Sequence, residues 1–235
     1  MCTVSFVSVN NKVIITSNRD EQVARPAMAP QSYLINNKTI TFPKDPKAGG
    51  TWYAIDENAN VLVLLNGAAE KHIWNPPYKR SRGLIVLEVI SQTSPVVFWD
   101  TIDLDEVEPF TLVLFENQAL YQLRWNGTVK DKQILDPAQN HIWSSSTLYT
   151  KDIRAQRAEW FHAFLDTKPF VTEAEMLDFH RYTEKDNQQN GLVINRNGSL
   201  KTLSITQTVI EKNKMVLLYS DLINQNDFSN SFLIV

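Results

Sequence analysis

The sequence predicts a layered α+β domain in which antiparallel sheets carry helices packed outside them. Three observations predict it. Short β-branched runs are separated by asparagine turns, the helical stretches follow one another instead of alternating with single strands, and no Pro/Gly/Ser linker divides the 235 residues. One domain over 1–235 is therefore expected, and a doubly wound sheet is not.

The elements are read in order along the chain. Residues 2–9 alternate Val4 and Phe6 with small polar residues, Asn10-Asn11 follows, and residues 12–17 resume with Val13-Ile14-Ile15, so the first hairpin is expected there. Asparagine tolerates the left-handed backbone of tight primed turns and so substitutes for scarce glycine. The same device recurs at Asn36-Asn37-Lys38 and at Asn58-Ala59-Asn60, between further strand-like runs. After Ser81-Arg82-Gly83 an unbroken apolar run through Ile90 predicts a helix, and 95–107 a second helical piece with Asp103, Asp105, Glu106 and Glu108 outside. Strands are expected at 111–116 and 120–125, and Asn126-Gly127 marks a further turn. Residues 151–165 place Ile153, Arg157, Trp160, Phe161 and Phe164 at helical spacing. A second helix, 172–182, has Thr172 as N-cap and Glu175 at the capping-box position. Strands return at 191–195, 199–210 and 214–219, the first two joined by Arg196-Asn197-Gly198.

Composition narrows the function class. A hydrophobic fraction of 43% and 24 aromatics place the chain among globular proteins, and a net charge of -3 argues against a nucleic-acid partner. Seven glycines leave little material for phosphate loops, and neither dinucleotide nor P-loop fingerprint occurs. The longest apolar runs fall far short of the roughly 20 residues that span a bilayer, so no transmembrane segment is expected. His72, His141, His162 and His180 include no i, i+4 pair, so no metal site is expected. A single cysteine excludes an internal disulfide framework, and with no secretory signal at 1–9 the expected location is cytoplasmic.

That cysteine stands at position 2, at the head of the first strand, and the second strand ends in Asn18-Arg19-Asp20-Glu21. A tight turn at Asn10-Asn11 returns 17–20 to the neighbourhood of Cys2, so a thiol, a guanidinium and a carboxylate share one end of a hairpin. If Met1 is removed, Cys2 gains its own α-amine as a base whose ordinary pKa of about 8 lies near the thiol's, about 8.5. The residues alone also admit a plainer reading, a small apolar side chain heading a buried strand.

Met1-Cys2-Thr3, Asn18-Arg19-Asp20-Glu21 with Arg25-Pro26, Gly49-Gly50-Thr51-Trp52, Leu64-Leu65-Asn66 and Ser81-Arg82-Gly83 resemble, in order and spacing, the NRDE or Transport and Golgi organisation 2 family. The match is denser over the first 90 residues than toward the C-terminus. That family resembles the N-terminal nucleophile (Ntn) hydrolases, which implies a four-layer αββα sandwich of antiparallel sheets. The resemblance implies Cys2 as nucleophile, Arg19 and Asp20 as its polar surround, and Asn66 as an oxyanion donor, with Asn18, Glu21, Trp52 and Ser145 on the substrate side. From sequence alone Asn66 is equally a turn residue before Gly67.

Two departures from the family pattern accompany these matches. Ile142-Trp143-Ser144-Ser145 stands where the family commonly has Gly-Leu-Ser-Asn, and Leu203-Ser204-Ile205-Thr206 where it has Gly-Thr-Arg-Ser. The expected function is a hydrolase of a linear amide C–N bond that works through an acyl-thioester and needs no cofactor. The alternative is a protein that binds haem or an acyl-lipid (acyl-CoA) in the same pocket without cleaving it; a cysteine thiolate is a haem-iron ligand.

Overall fold

In this computed structural model, residues 3–234 are described. The first half holds β1 (Thr3–Val9), β2 (Lys12–Gln22), β3 (Met28–Ile35), β4 (Lys38–Lys44), β5 (Tyr53–Asp56) and β6 (Val61–Asn66), then α1 (Arg82–Ile90), α2 (Pro95–Thr101) and β7 (Phe110–Glu116). The second half holds β8 (Ala119–Trp125), β9 (Lys130–Leu135), β10 (His141–Ser144), α3 (Lys151–Asp166), α4 (Glu173–Tyr182), β11 (Asn195–Arg196), β12 (Leu200–Glu211), β13 (Lys214–Asp221) and β14 (Asn226–Leu233). All strand pairs within the two sheets are antiparallel, which makes the chain α+β. No helix among the described residues is long and apolar enough to cross a membrane.

The chain divides into two compact units, one formed by the residues up to Pro26 with Ala138–Leu233, the other by Ala27–Pro137. The sheet of the first unit runs β10-β1-β2-β12-β13-β14, with β11 beside β12. Helices α3 and α4 pack on one face of this sheet, where Val7 and Ile14 meet Phe161, Met176, Phe179 and Leu192. Side chains alternate across a strand, so Thr3 and Ser5 share the helix-covered face with Val7, and Thr16, Asn18 and Asp20 share it with Ile14. This face is apolar toward the hairpin turn and polar toward the head of β1.

The second unit is a seven-stranded sheet in sequence order, β3 to β9, with α1 and α2 against β5, β6 and β7. Trp99 of α2 meets Phe110 of β7 edge to face at 5.9 Å.

The turn chemistry follows the asparagine expectation at two sites and departs at a third. Asn10, Asn11, Asn36 and Asn37 all have positive φ between 50° and 61°, as two-residue primed turns require. At the third turn only Ala59 is left-handed, and Asp56 organises the chain by accepting the N–H groups of Asn58 and Asn60 on Oδ1.

Two expected elements are shorter than the pattern suggested. The helical piece from Pro95 stops at Thr101, because Ile102 is extended (ψ 132°) and Asp103 then closes a local turn by accepting the N–H of Asp105. The strand expected at 191–195 is a loop down to Asn195. Its N–H groups go elsewhere: Gly191 donates to Asn187 O, Leu192 to Thr183 O, and Ile194 to the Thr202 hydroxyl. Conversely, β9 and β14 pair despite their polar, exposed sequences, as edge strands do.

Candidate functional site

Cys2 lies outside the described residues. The site is therefore built from its chain neighbour Thr3 and the side chains around it. Thr3 pairs in register with Ser144 of β10 on one side and Asn18 of β2 on the other. Its hydroxyl lies 3.0 Å from Ser144 Oγ and accepts from Arg157 Nη1. Arg157, on α3, is completely buried and also donates through Nε to the carbonyl of Asn190 at 3.2 Å and through Nη2 to that of Gly191. Its guanidinium lies 3.6 Å from the ring centre of Tyr149.

Asn18 is fully buried, and its amide is committed within the unit. Nδ2 donates to the carbonyls of His180 at 3.0 Å and Leu192 at 2.7 Å, so Oδ1 is the atom that faces His180 Nδ1. Nδ1 of the imidazole therefore carries the proton, and Nε2 accepts from Ser5 Oγ at 2.7 Å. Burial, with the Arg157 charge added, pushes His180 down to about 3, so it is a neutral structural histidine at physiological pH.

Asp20 is 1% exposed and both its oxygens accept hydroxyl donors: Tyr149 at 2.7 Å on Oδ2 and Thr202 at 2.6 Å on Oδ1. Burial, chiefly, with the Asp20 charge beside it, holds the Tyr149 hydroxyl well above the usual tyrosine range, so it stays a donor. Arg19 points to the opposite face of β2 from Asp20, is equally buried, and donates from Nη1 to the carbonyl of Arg25 at 2.9 Å. Glu21 lies within 3.5 Å of Arg25 Nη1 and accepts the N–H of Gln22. Ser145, also 1% exposed, follows the register partner of Thr3 and lies 3.0 Å from the Thr147 hydroxyl.

The first unit thus gathers Asn18, Arg19, Asp20, Glu21 and Ser145 of the sequence-expected residues. Asn66 and Trp52 belong to the second unit. Asn66 is half-buried at the end of β6, where Gly67 is anchored by its N–H to Pro109 O and by its carbonyl to the Thr111 hydroxyl. Trp52 is 2% exposed, and its carbonyl accepts the N–H of Leu64 on β6. The basic stretch around Lys79–Arg82 is met by carboxylates: Glu106 at Lys79, Glu88 at Arg80 and Glu108 at Arg82. Among the described residues no group of three or more His, Asp or Glu is placed to hold a metal ion.

Sequence reasoning missed Tyr149, Arg157, His180 and Thr202. Arg157 and His180 looked like positions on amphipathic helices, and the only available signal was a charge or imidazole on an otherwise apolar face. Tyr149 and Thr202 carried no motif.

The family model described as Transport and Golgi organisation 2 matches residues 1–215. A search of curated proteins found no match. Among solved structures, a cysteine-to-alanine variant of the conjugated bile acid hydrolase from Clostridium perfringens superposes with a TM-score of 0.56 at 10% identity, over 98% of this chain and 92% of that one. An arginine-to-leucine variant of the same hydrolase gives 0.56 at 9% identity, over 97% and 92%. The N-acylethanolamine-hydrolyzing acid amidase orthologue of Caenorhabditis elegans gives 0.59 at 10% identity, over 88% and 92%. At such identities the likeness concerns the fold, and that fold is the Ntn-hydrolase one.

Proposed function

This chain belongs to the Transport and Golgi organisation 2 family, and from that premise we propose that it is a cysteine-type N-terminal nucleophile hydrolase of linear N-acyl amides. The observation that carries the reading is the setting of Thr3, one peptide bond from Cys2. A buried guanidinium (Arg157) and a buried carboxylate (Asp20) are held by hydrogen bonds on the helix-covered face near the head of β1, and a second buried arginine (Arg19) lies on the opposite face, where it donates to the Arg25 carbonyl. Buried charge held at this expense of desolvation is typical of a reacting centre. The substrate class is supported by the named activities of the fold relatives, a conjugated bile acid hydrolase and an acid amidase of N-acylethanolamines.

In the proposed reaction, removal of Met1 frees the Cys2 α-amine, which takes the thiol proton. The thiolate attacks the amide carbonyl, a C–S bond forms and the C–N bond breaks, and the proton held by the amine leaves with the product amine. Water then attacks the thioester, giving the carboxylic acid and regenerating the thiol. Arginine charge favours the thiolate over the thiol. Asn66 is the proposed oxyanion donor on the family resemblance alone.

Intact mass spectrometry tests the premise, with loss of Met1 and one iodoacetamide adduct on Cys2 as the expected result. Retained Met1, or an unmodified Cys2, removes the reading. Hydrolysis of a panel of N-acyl amides should then disappear in Cys2→Ala and fall about 10²–10³-fold in Asn66→Ala, the usual cost of one oxyanion donor.

A second reading, binding of haem or an acyl-lipid without cleavage, is favoured by Ile205, a fully buried aliphatic residue where the family commonly has arginine. Haemin titration followed by absorbance, wild type against Cys2→Ala, separates the two; an identical spectrum in the variant removes Cys2 as the iron ligand.

A further inference from the structure

We propose that Tyr149 and Thr202 are positioning residues that fix the direction of the Asp20 carboxylate beside the head of β1. The inference rests on the hydrolase reading only in assigning Asp20 to the surroundings of the nucleophile.

The backbone makes a special provision for one of the two contacts. The β2–β12 register slips between Thr202, opposite Asp20, and Ser204, opposite Arg19, so Leu203 is an extra residue in β12. In a regular strand with no bulge, Thr202 and Val209, seven positions apart, would face opposite sides of the sheet. Because of the extra residue, Thr202 stands on the helix-covered face that Val209 also helps to line, directly across from Asp20. A bulge of this kind re-aims a side chain and gives up ladder hydrogen bonds to do so.

The polarity of both contacts is fixed. Thr202 has one hydroxyl proton, and its oxygen already accepts the N–H of Ile194 at 2.9 Å, so the proton is directed at Asp20 Oδ1. Tyr149 reaches Oδ2 from a ring held by Arg157 on its face at 3.6 Å and by Arg196 at 5.3 Å, with its backbone N–H on the carbonyl of Ser145. Among the described residues, two hydroxyl donors on two oxygens leave about half of the carboxylate's lone-pair capacity to other partners, in directions the two hydroxyls dictate. Both donors are neutral, so they hold the charge in place without cancelling it, as an ion pair would. A carboxylate so held is fit to accept from an ammonium group as it forms and releases its proton.

The experiment follows the rate of Cys2 alkylation by iodoacetamide against pH in wild type, Thr202→Val, Thr202→Ser and Tyr149→Phe, with melting curves of each. Thr202→Val and Tyr149→Phe should move the alkylation midpoint by about half a pH unit or more, roughly three-fold in rate on the slope of the profile, and Thr202→Ser should restore it. A wild-type midpoint in variants that merely melt earlier overturns the proposal. If Thr202→Val does not fold, Tyr149→Phe decides by the same criterion. If wild-type Cys2 takes no adduct, the hydrolase reading falls, and crystal structures of the variants judge the inference separately. A carboxylate of Asp20 that has turned or split into two orientations supports it, and an unchanged one overturns it.

Discussion

His180 donates its Nδ1 proton to Oδ1 of Asn18, whose own amide group donates to the carbonyls of His180 and Leu192. One asparagine thereby sets the tautomer of a buried imidazole and ties α4 to β2 at the polar end of the first unit. Folding fixes this histidine in its neutral form, down to about 3 from an ordinary 6.5. The unfolded chain therefore binds a proton below pH 6.5 that the folded chain refuses. Stability is fully present above that value and drains away as the pH falls toward 3, by about 1.4 kcal/mol per unit for this one group. Urea unfolding midpoints at pH 7, 6, 5 and 4 should fall more steeply in the wild type than in His180→Gln, which cannot titrate.

Gly50 predicts a steric result in the second unit. A Cβ built there would stand 2.3 Å from the carbonyl carbon of Gly83 and 2.6 Å from Leu84 N, both backbone atoms of the first turn of α1. The same approach lets Thr51 N–H donate to Gly83 O at 3.1 Å. Since neither side can yield, Gly50→Ala should cost about 3 kcal/mol or more. Gly198→Ala, where φ is +71° but nothing lies within 4 Å, should cost only about 1 kcal/mol of backbone strain. Denaturant unfolding of the two variants checks the contrast.

What was legible in the sequence was local. The asparagine pairs at 10–11 and 36–37 announce their turns because left-handed backbone has few tolerant residues, and Thr172 with Glu175 announces a capping box that is present. The family motifs brought Asn18, Arg19 and Asp20 to notice, since all three lie on one strand. What was not legible depends on contacts between distant segments. The extra residue at Leu203 has no signature in Thr202-Leu203-Ser204, and its effect appears only when β12 lies against β2. The stretch 191–195 has the apolar residues of a strand, but Asn18 and Arg157 take its carbonyls and a threonine takes one of its N–H groups. Local propensity there yields to a polar network whose partners lie 174, 34 and 8 positions away along the chain.

Lys38 and Asp56 form a buried pair at 2.6 Å in the second unit, and the remaining Lys38 donors close the carbonyls of Ile90 and Gln92 at the end of α1. Lys38→Met strands a carboxylate with no exposed side-chain surface and uncaps the helix, so a loss of about 3 kcal/mol or more is expected. Adding Asp56→Asn removes the stranded charge while keeping an acceptor for the N–H groups of Asn58 and Asn60. The double variant should therefore be more stable than Lys38→Met alone by about 1 kcal/mol or more, which a double-mutant cycle in urea measures.

Arg157 is the buried cation on which the polar end of the first unit depends, and its replacement has two separable consequences. Arg157→Met leaves Thr3 Oγ1 and the carbonyls of Asn190 and Gly191 without their donor, so a loss of about 3 kcal/mol is expected at neutral pH. It also removes the positive charge that adds to burial in depressing His180, so the His180 pKa must rise while its burial is kept. The window between the unfolded and folded pKa values then narrows from above 3, and the acid-dependent loss of stability ends at a higher pH than in the wild type. Proton NMR of the His180 ring during acid titration reads the pKa directly, and Arg157→Lys, which keeps the charge but not the three-way geometry, should leave it near the wild-type value. A ring that titrates alike in Arg157→Met and wild type would mean that burial alone holds it neutral.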